Sequence, residues 1–206
     1  MAGWSYQWIT ALDWAMDSWT APLDVTRIPP QGNATRRLLA ADTTGYSTLL
    51  KLAPLGYLEG YSYKPRVDWG LLESHSSGLI ALSGCLSGRV CKALEENRVS
   101  DASSELDRLS NVFGKDNVYV ELQNAHLDVQ ARLLPQLAQL ATTANIPTVA
   151  TGAVHYLRDT DPRAHEAPLC THSRAPPANP TPPQFHPAPL PLQPPPKTAP
   201  HTHTHP

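Results

Sequence analysis

The chain has 206 residues, of which 41% are hydrophobic and 17% charged, and its formal net charge is −2. That length suits one domain or one and a half and excludes a large multidomain enzyme. The balanced charge excludes a surface that tracks nucleic-acid phosphates over most of its area, so any contact with DNA is local.

Three cysteines, Cys85, Cys91 and Cys170, are too few and too odd in number for a disulfide framework and point to a reducing compartment. No window reaches the roughly 18 uninterrupted apolar residues of a transmembrane helix. Met1 to Thr20 carry acids where a signal peptide carries Lys or Arg. The expectation is a cytoplasmic protein without a membrane partner.

Composition divides the chain into residues 1–33, 34–170 and 171–206. The lead holds four of the five tryptophans, Trp4, Trp8, Trp14 and Trp19. With Ile9, Leu12, Ala15 and Met16 they follow a near-helical spacing, and Pro22 lies beyond as a stop, so a short amphipathic helix is expected there. From Ala34 to Cys170 the sequence reads as globular. Thr43 or Thr44 caps a helix through Tyr46, Leu49, Leu50, Leu52 and Leu55, with Pro54 limiting its last turn. Asp68 caps a second helix that ends near Ser77-Gly78. Leu79-Ile-Ala-Leu82 is a short apolar run bounded by glycines, as in a strand buried on both faces.

Ser87 opens a helix that buries Val90, Cys91 and Leu94, and Ser100 opens another that buries Ala102, Leu106, Leu109 and Phe113. Val118-Tyr-Val-Glu-Leu122 reads as the next strand. Asp128 caps a long helix with Ala131, Leu134, Leu137, Ala138 and Ala141 inward, and Ile146–Thr151 is a third strand. Asp161-Pro162 opens a last helix carrying Ala164, His165 and Ala167. The alternation predicts an α/β fold with parallel strands joined by crossover helices.

From Thr171 onward lie 13 of the 22 prolines, five of the nine histidines, no acid and one aromatic, Phe185. Such a composition cannot bury enough apolar surface to offset chain entropy, and a disordered Pro/His-rich tail is expected. Its terminal His201-Thr-His-Thr-His205 could bind a transition metal, but a catalytic His pair needs a buried strand to fix both rings. The tail composition is also what GC-rich DNA encodes out of frame, and a shifted reading frame is the preferred account of it.

In α/β folds ligands collect at the carboxyl ends of the strands. Ser83-Gly-Cys85, Gln123-Asn-Ala-His126 and Thr151-Gly-Ala-Val-His155 follow the three expected strands, which brings a thiolate and two imidazoles to one rim. Such N and S donors suit zinc and similar metals. Cys85 can equally be a small apolar filler, His155 a structural histidine and His126 a surface residue. Cys91 and Cys170 read as packing, and His75 and His165 carry no distinctive spacing. Lys64-Pro65-Arg66 is a weak phosphate signal against a solvated loop.

Three runs carry a resemblance: Asp42-Thr-Thr-Gly-Tyr-Ser-Thr-Leu-Leu-Lys-Leu52, Leu58-Glu-Gly-Tyr-Ser-Tyr-Lys-Pro-Arg-Val-Asp68 and Gly78-Leu-Ile-Ala-Leu-Ser-Gly-Cys-Leu-Ser-Gly88. Val118–Gln123 and Val149–Arg158, followed by Ala164–Cys170, continue it in order. Together they resemble the PHP (polymerase and histidinol phosphatase) domain of bacterial DNA polymerase III α subunits.

The resemblance implies a partial PHP-type distorted (β/α)7 barrel whose strand ends hold divalent metal, usually zinc, manganese or iron. In some members that centre supports a 3′→5′ exonuclease through metal-activated water; in others it is a structural brace for the polymerase and its proofreading partner. Cys85 falls on the family's cysteine ligand and His155 on the histidine of its last ligand motif. Two positions depart from the pattern: Ala153 stands where that motif has its acid, and Thr35 where a ligand histidine precedes the Leu-rich run. The family's opening His-x-His, Asp-His and Glu ligands belong upstream, where the tryptophan-rich lead stands. Two ligands do not hold a multinuclear centre, since one catalytic zinc generally takes three protein donors.

By resemblance the parent is a DNA-directed DNA polymerase, a nucleotidyltransferase working on DNA and deoxynucleoside triphosphates with Mg, in company with proofreading and clamp subunits. The carboxylates of its polymerase site fall outside this chain. The expectation is therefore an inactive fragment, only partly folded. The competing readings are a non-catalytic interaction module and a stand-alone PHP-type phosphoesterase.

Overall fold

The computed structural model describes residues 12–16, 34–61, 65–84, 86–124 and 127–152. The strands are β1 (Leu12–Met16), β2 (Ala34–Ala40), β3 (Arg66–Val67), β4 (Leu79–Leu82), β5 (Val118–Gln123) and β6 (Thr148–Thr151), in the sheet order β3-β1-β2-β4-β5-β6. The helices are α1 (Thr43–Leu58), α2 (Trp69–Ser74), α3 (Arg89–Glu95), α4 (Val99–Phe113) and α5 (Asp128–Ala144). The described residues fall into two units. One runs to Glu121 and includes Gln139–Thr148; the other comprises Leu122–Ala138 and the described residues from Val149.

The sheet is mixed. β4 and β5 pair in parallel through Ala81↔Val118 and Leu82↔Tyr119, which is the expected crossover geometry, with α3 and α4 between them. β2, by contrast, is antiparallel to β1 and to β4, with Arg37 opposite Leu82 and Ala40 opposite Leu79. The expectation of parallel strands joined by crossover helices holds for β4 and β5 and did not include β2, because the Arg36-Arg37 pair interrupts the apolar pattern of Ala34–Ala40 and that segment did not read as a strand. The antiparallel ladder continues past the end of β2, where the Ala41 amide donates to the Gly78 carbonyl at 2.8 Å, beside the start of β4.

Leu12–Met16 is a strand, where the tryptophan spacing predicted an amphipathic helix. Pairing with β2 along the whole of β1, from Leu12↔Leu38 to Met16↔Ala34, takes the place of helical bonds for its backbone groups. The rest of the lead, the expected Asp161 helix and the whole of the 171–206 tail lie outside the described residues.

The caps also shift. Asp42, one residue ahead of the expected threonines, caps α1 by accepting the Gly45 amide at 2.8 Å. The helix runs through Pro54 to Leu58, since a missing N–H costs one bond and the following turns still close. Asp68 caps α2 as expected, accepting from Leu71 at 2.7 Å. Gly88 and Arg98, not Ser87 and Ser100, precede α3 and α4, and neither supplies a side-chain cap.

The core of the first unit is built from Leu79, Ala81, Val118 and Val120 of the sheet and Val90, Leu94, Ala102, Leu106, Leu109 and Phe113 of α3 and α4. α4 packs against α2, α3 and β4. These are the faces that helical spacing predicted. On α5 the inward face is Gln130, Leu133, Leu137, Leu140 and Ala141, while Ala131 is exposed. Adjacent Leu133 and Leu134 offer two equally apolar stripes, so periodicity alone does not choose between them. In the second unit Gln130 donates to the Gln123 side chain at 3.4 Å, which occupies the amide at the end of β5.

Candidate functional site at the exit of β4 and β5

The carboxyl end of β4 continues into Ser83 and Gly84, where the chain leaves the sheet through a positive φ of 88° at Gly84. Three bonds fix this exit. The Ser83 amide donates to the Tyr119 carbonyl at 3.0 Å, and the Ser83 hydroxyl, fully buried, accepts the Glu121 amide at 2.9 Å. The Cys91 thiol approaches the Gly84 carbonyl at 3.8 Å. Cys91 is buried, in keeping with the packing role expected of it.

Antiparallel pairing brings the start of β2 to the same end of the sheet, and there Arg37 forms an ion pair with Glu121. The Glu121 carboxylate is completely buried, whereas the guanidinium keeps partial access to solvent. A carboxylate taken out of water is tolerated when a charged donor compensates it, which Arg37 does. Sequence reading passed over this pair. The available signal was an acid in the middle of the otherwise apolar Val118–Leu122 run, matched by an arginine in another.

Arg36, next to Arg37, points to the other face of the sheet. It is buried and ion-paired with Glu105 of α4, and its guanidinium lies 5.0 Å from the centre of the Trp69 ring. Arg108 covers the same ring at 4.2 Å, and Arg89 Nε stands 4.0 Å from the Glu105 carboxylate. Burial pushes the Arg36 pKa below its ordinary value, and Glu105 opposes the shift. A guanidinium remains charged at any working pH, so this cluster is a packing device tying β2 to α2 and α4.

The residues singled out for metal chemistry, Cys85, His126 and His155, lie outside the described residues, as do Ala153 and Cys170. His75 sits at the end of α2, with Nδ1 2.9 Å from the Ser74 hydroxyl and 3.1 Å from the Leu71 carbonyl, an ordinary helix-end arrangement. Of the weak phosphate signal only Pro65 and Arg66 are described, and Arg66 lies in β3 opposite Ala15 of β1. Among the described residues no group of three or more His, Cys, Asp or Glu side chains could hold a metal ion. The donor chemistry agrees with that. Among the described residues the carboxylate fixed at the exit, Glu121, is engaged by a guanidinium. Among the described residues the rim supplies no donor set that fits the family's metal centre. No helix among the described residues is long and apolar enough to cross a membrane.

Comparison with known proteins places the chain. A family model described as the PHP domain matches residues 12–125, starting within the segment that composition set apart and at the first residue of β1. The chain is 40% identical over 133 residues to DNA polymerase III subunit alpha of Treponema pallidum, a match covering 65% of this chain and 11% of that protein. The same subunit of Thermus aquaticus is 40% identical over 137 residues, covering 66% and 11%. That of Deinococcus radiodurans is 41% identical over 138 residues, covering 67% and 10%. The chain thus spans about a tenth of the length of the curated relatives it matches. With the family pattern running through more than half of its residues, in a mixed α/β fold, the chain belongs to the PHP domain family.

Proposed function

We propose that the chain is part of a DNA polymerase III α subunit, in which it contributes a portion of a distorted (β/α)7 barrel that braces the enzyme without performing chemistry. The observation that carries this reading is the match at 40–41% identity over about two thirds of the chain and only about a tenth of each relative. The parent enzyme, a cytoplasmic replicase component, extends DNA from deoxynucleoside triphosphates with Mg and works beside proofreading and clamp subunits. Residues 34–170, joined by the strand Leu12–Met16 that the family model includes, form the domain. Cys85 and His155 are what remains of a zinc, manganese or iron site, too few for a multinuclear centre.

Two assays on the purified chain test the reading. Primer extension with all four deoxynucleoside triphosphates and Mg is expected to give no product, and single-stranded DNA with Zn or Mn is expected to remain undigested from its 3′ end. Metal-dependent digestion would replace the brace by a working phosphoesterase. Parentage is tested by the flanking DNA. A His-x-His segment upstream and palm carboxylates downstream are expected, and the absence of both would sink the assignment.

A further inference from the structure

The Arg37–Glu121 pair sits near the carboxyl ends of β4 and β5, the end of the strands at which the family resemblance puts a PHP domain's ions, and this inference rests on the brace reading above. We propose that the Arg37 guanidinium supplies the positive charge that the exit of β4 and β5 would otherwise draw from a bound divalent metal, so that this rim is closed by an internal cation.

Position comes first. Arg37 is opposite Leu82, the residue before Ser83, and so lies level with the end of β4, three residues ahead of Cys85. Glu121 lies on β5 two residues beyond Tyr119, the partner of Leu82, with its amide bonded to the Ser83 hydroxyl and its carboxylate reaching back to Arg37. Charge comes second. Glu121 is a carboxylate with no exposure, on a strand whose neighbouring residues Val120 and Leu122 are also buried, so a cation must lie against it. The cation present is one that cannot lose its proton and presents a planar fork matched to carboxylate geometry. Chemistry comes third. A fixed positive charge at this point repels a divalent ion, and it occupies the one described acid that could ligate it.

The test is a double-mutant cycle on the full 206-residue chain, using Arg37→Met, Glu121→Gln and the pair together, each dialysed against chelator and then titrated with Mn²⁺. Unfolding midpoints are read with and without the ion. The unmodified chain is expected to show no midpoint shift with chelator or with Mn²⁺. Each single change is expected to lower the unfolding constant, and the double change to recover about tenfold or more relative to additivity. Arg37→Met is expected to acquire a Mn²⁺-dependent rise that the double variant lacks. If Arg37→Met does not fold, Arg37→Lys keeps the charge and is expected to fold and stay indifferent to Mn²⁺.

Strict additivity of the two changes, a Mn²⁺ rise in the unmodified chain, or Mn²⁺ uptake by Arg37→Lys would each overturn the proposal. Additivity in a chain that is metal-free and inert toward DNA would overturn this inference alone. Metal-dependent digestion of DNA would overturn the brace reading as well.

Discussion

Two glycines on neighbouring helices should respond in opposite directions to the same added methyl group. Gly45 is the third residue of α1, and a Cβ built on it would stand 2.7 Å from the Gly78 carbonyl carbon and 3.2 Å from the Ala40 Cα, both backbone atoms that cannot swing aside. Relieving the overlap means moving the helix start away from the Gly78 turn by about an ångström. That displacement weakens the Ala41 to Gly78 bond and the Asp42 cap on the Gly45 amide, both 2.8 Å long. A net hydrogen bond is worth about 1 kcal/mol, a cap about 1 kcal/mol, and forced overpacking about 1–3 kcal/mol, partly overlapping. Gly45→Ala is therefore expected to lose about 2–4 kcal/mol.

Gly70, early in α2, has only the Asp68 carboxylate oxygen near its added Cβ, at an ordinary 3.6 Å. There the methyl group mainly reduces the freedom of the unfolded chain, and Gly70→Ala is expected to gain about 0.5–1 kcal/mol. Urea unfolding followed by far-ultraviolet circular dichroism gives both values, read as midpoint changes at constant slope. Equal signs for the two variants, or a Gly45→Ala midpoint at the unmodified value, would refute the close approach of α1 to the Gly78 turn.

Further expectations use the same assay. Among the described residues Arg36→Met leaves Glu105 with the more distant Arg89, and a loss of about 3 kcal/mol is expected, with a smaller loss when Glu105→Gln is added. Asp42→Ala removes the α1 cap and should cost about 1 kcal/mol, while Asp42→Asn should cost less. Arg98, ion-paired with Glu96 and Asp101, is half exposed along with both partners, so Arg98→Ala should leave the unfolding midpoint close to that of the unmodified chain.

Much of the fold was legible because amphipathic spacing reports burial directly. The faces of α3 and α4, the cap at Asp68 and the buried β4 run all follow from pattern and local chemistry. What escaped depends on partners distant in sequence. Ala34–Ala40 carries two adjacent arginines that look like surface, yet each has an acid waiting 69 or 84 residues away, Glu105 on one face and Glu121 on the other. Single-sequence periodicity cannot supply those partners, and without β2 neither the mixed sheet nor the rim ion pair could be foreseen. The same holds for Leu12–Met16, whose helical spacing was overridden by a strand edge needing a neighbour.

The candidate site divides along the same line. Cys85 and His155 came from position after a strand and from family resemblance, and both lie outside the described residues. The Arg37–Glu121 pair came from the structure, and it bears on whether those two residues could ever have had company.

The sharpest check on a rim closed by its own side chains is the metal content of the purified chain. Protein from cells supplied with zinc, manganese and iron, passed through gel filtration without chelator, would be measured by elemental mass spectrometry. A closed rim gives each metal far below one ion per chain; one or more tightly retained ions per chain would contradict it.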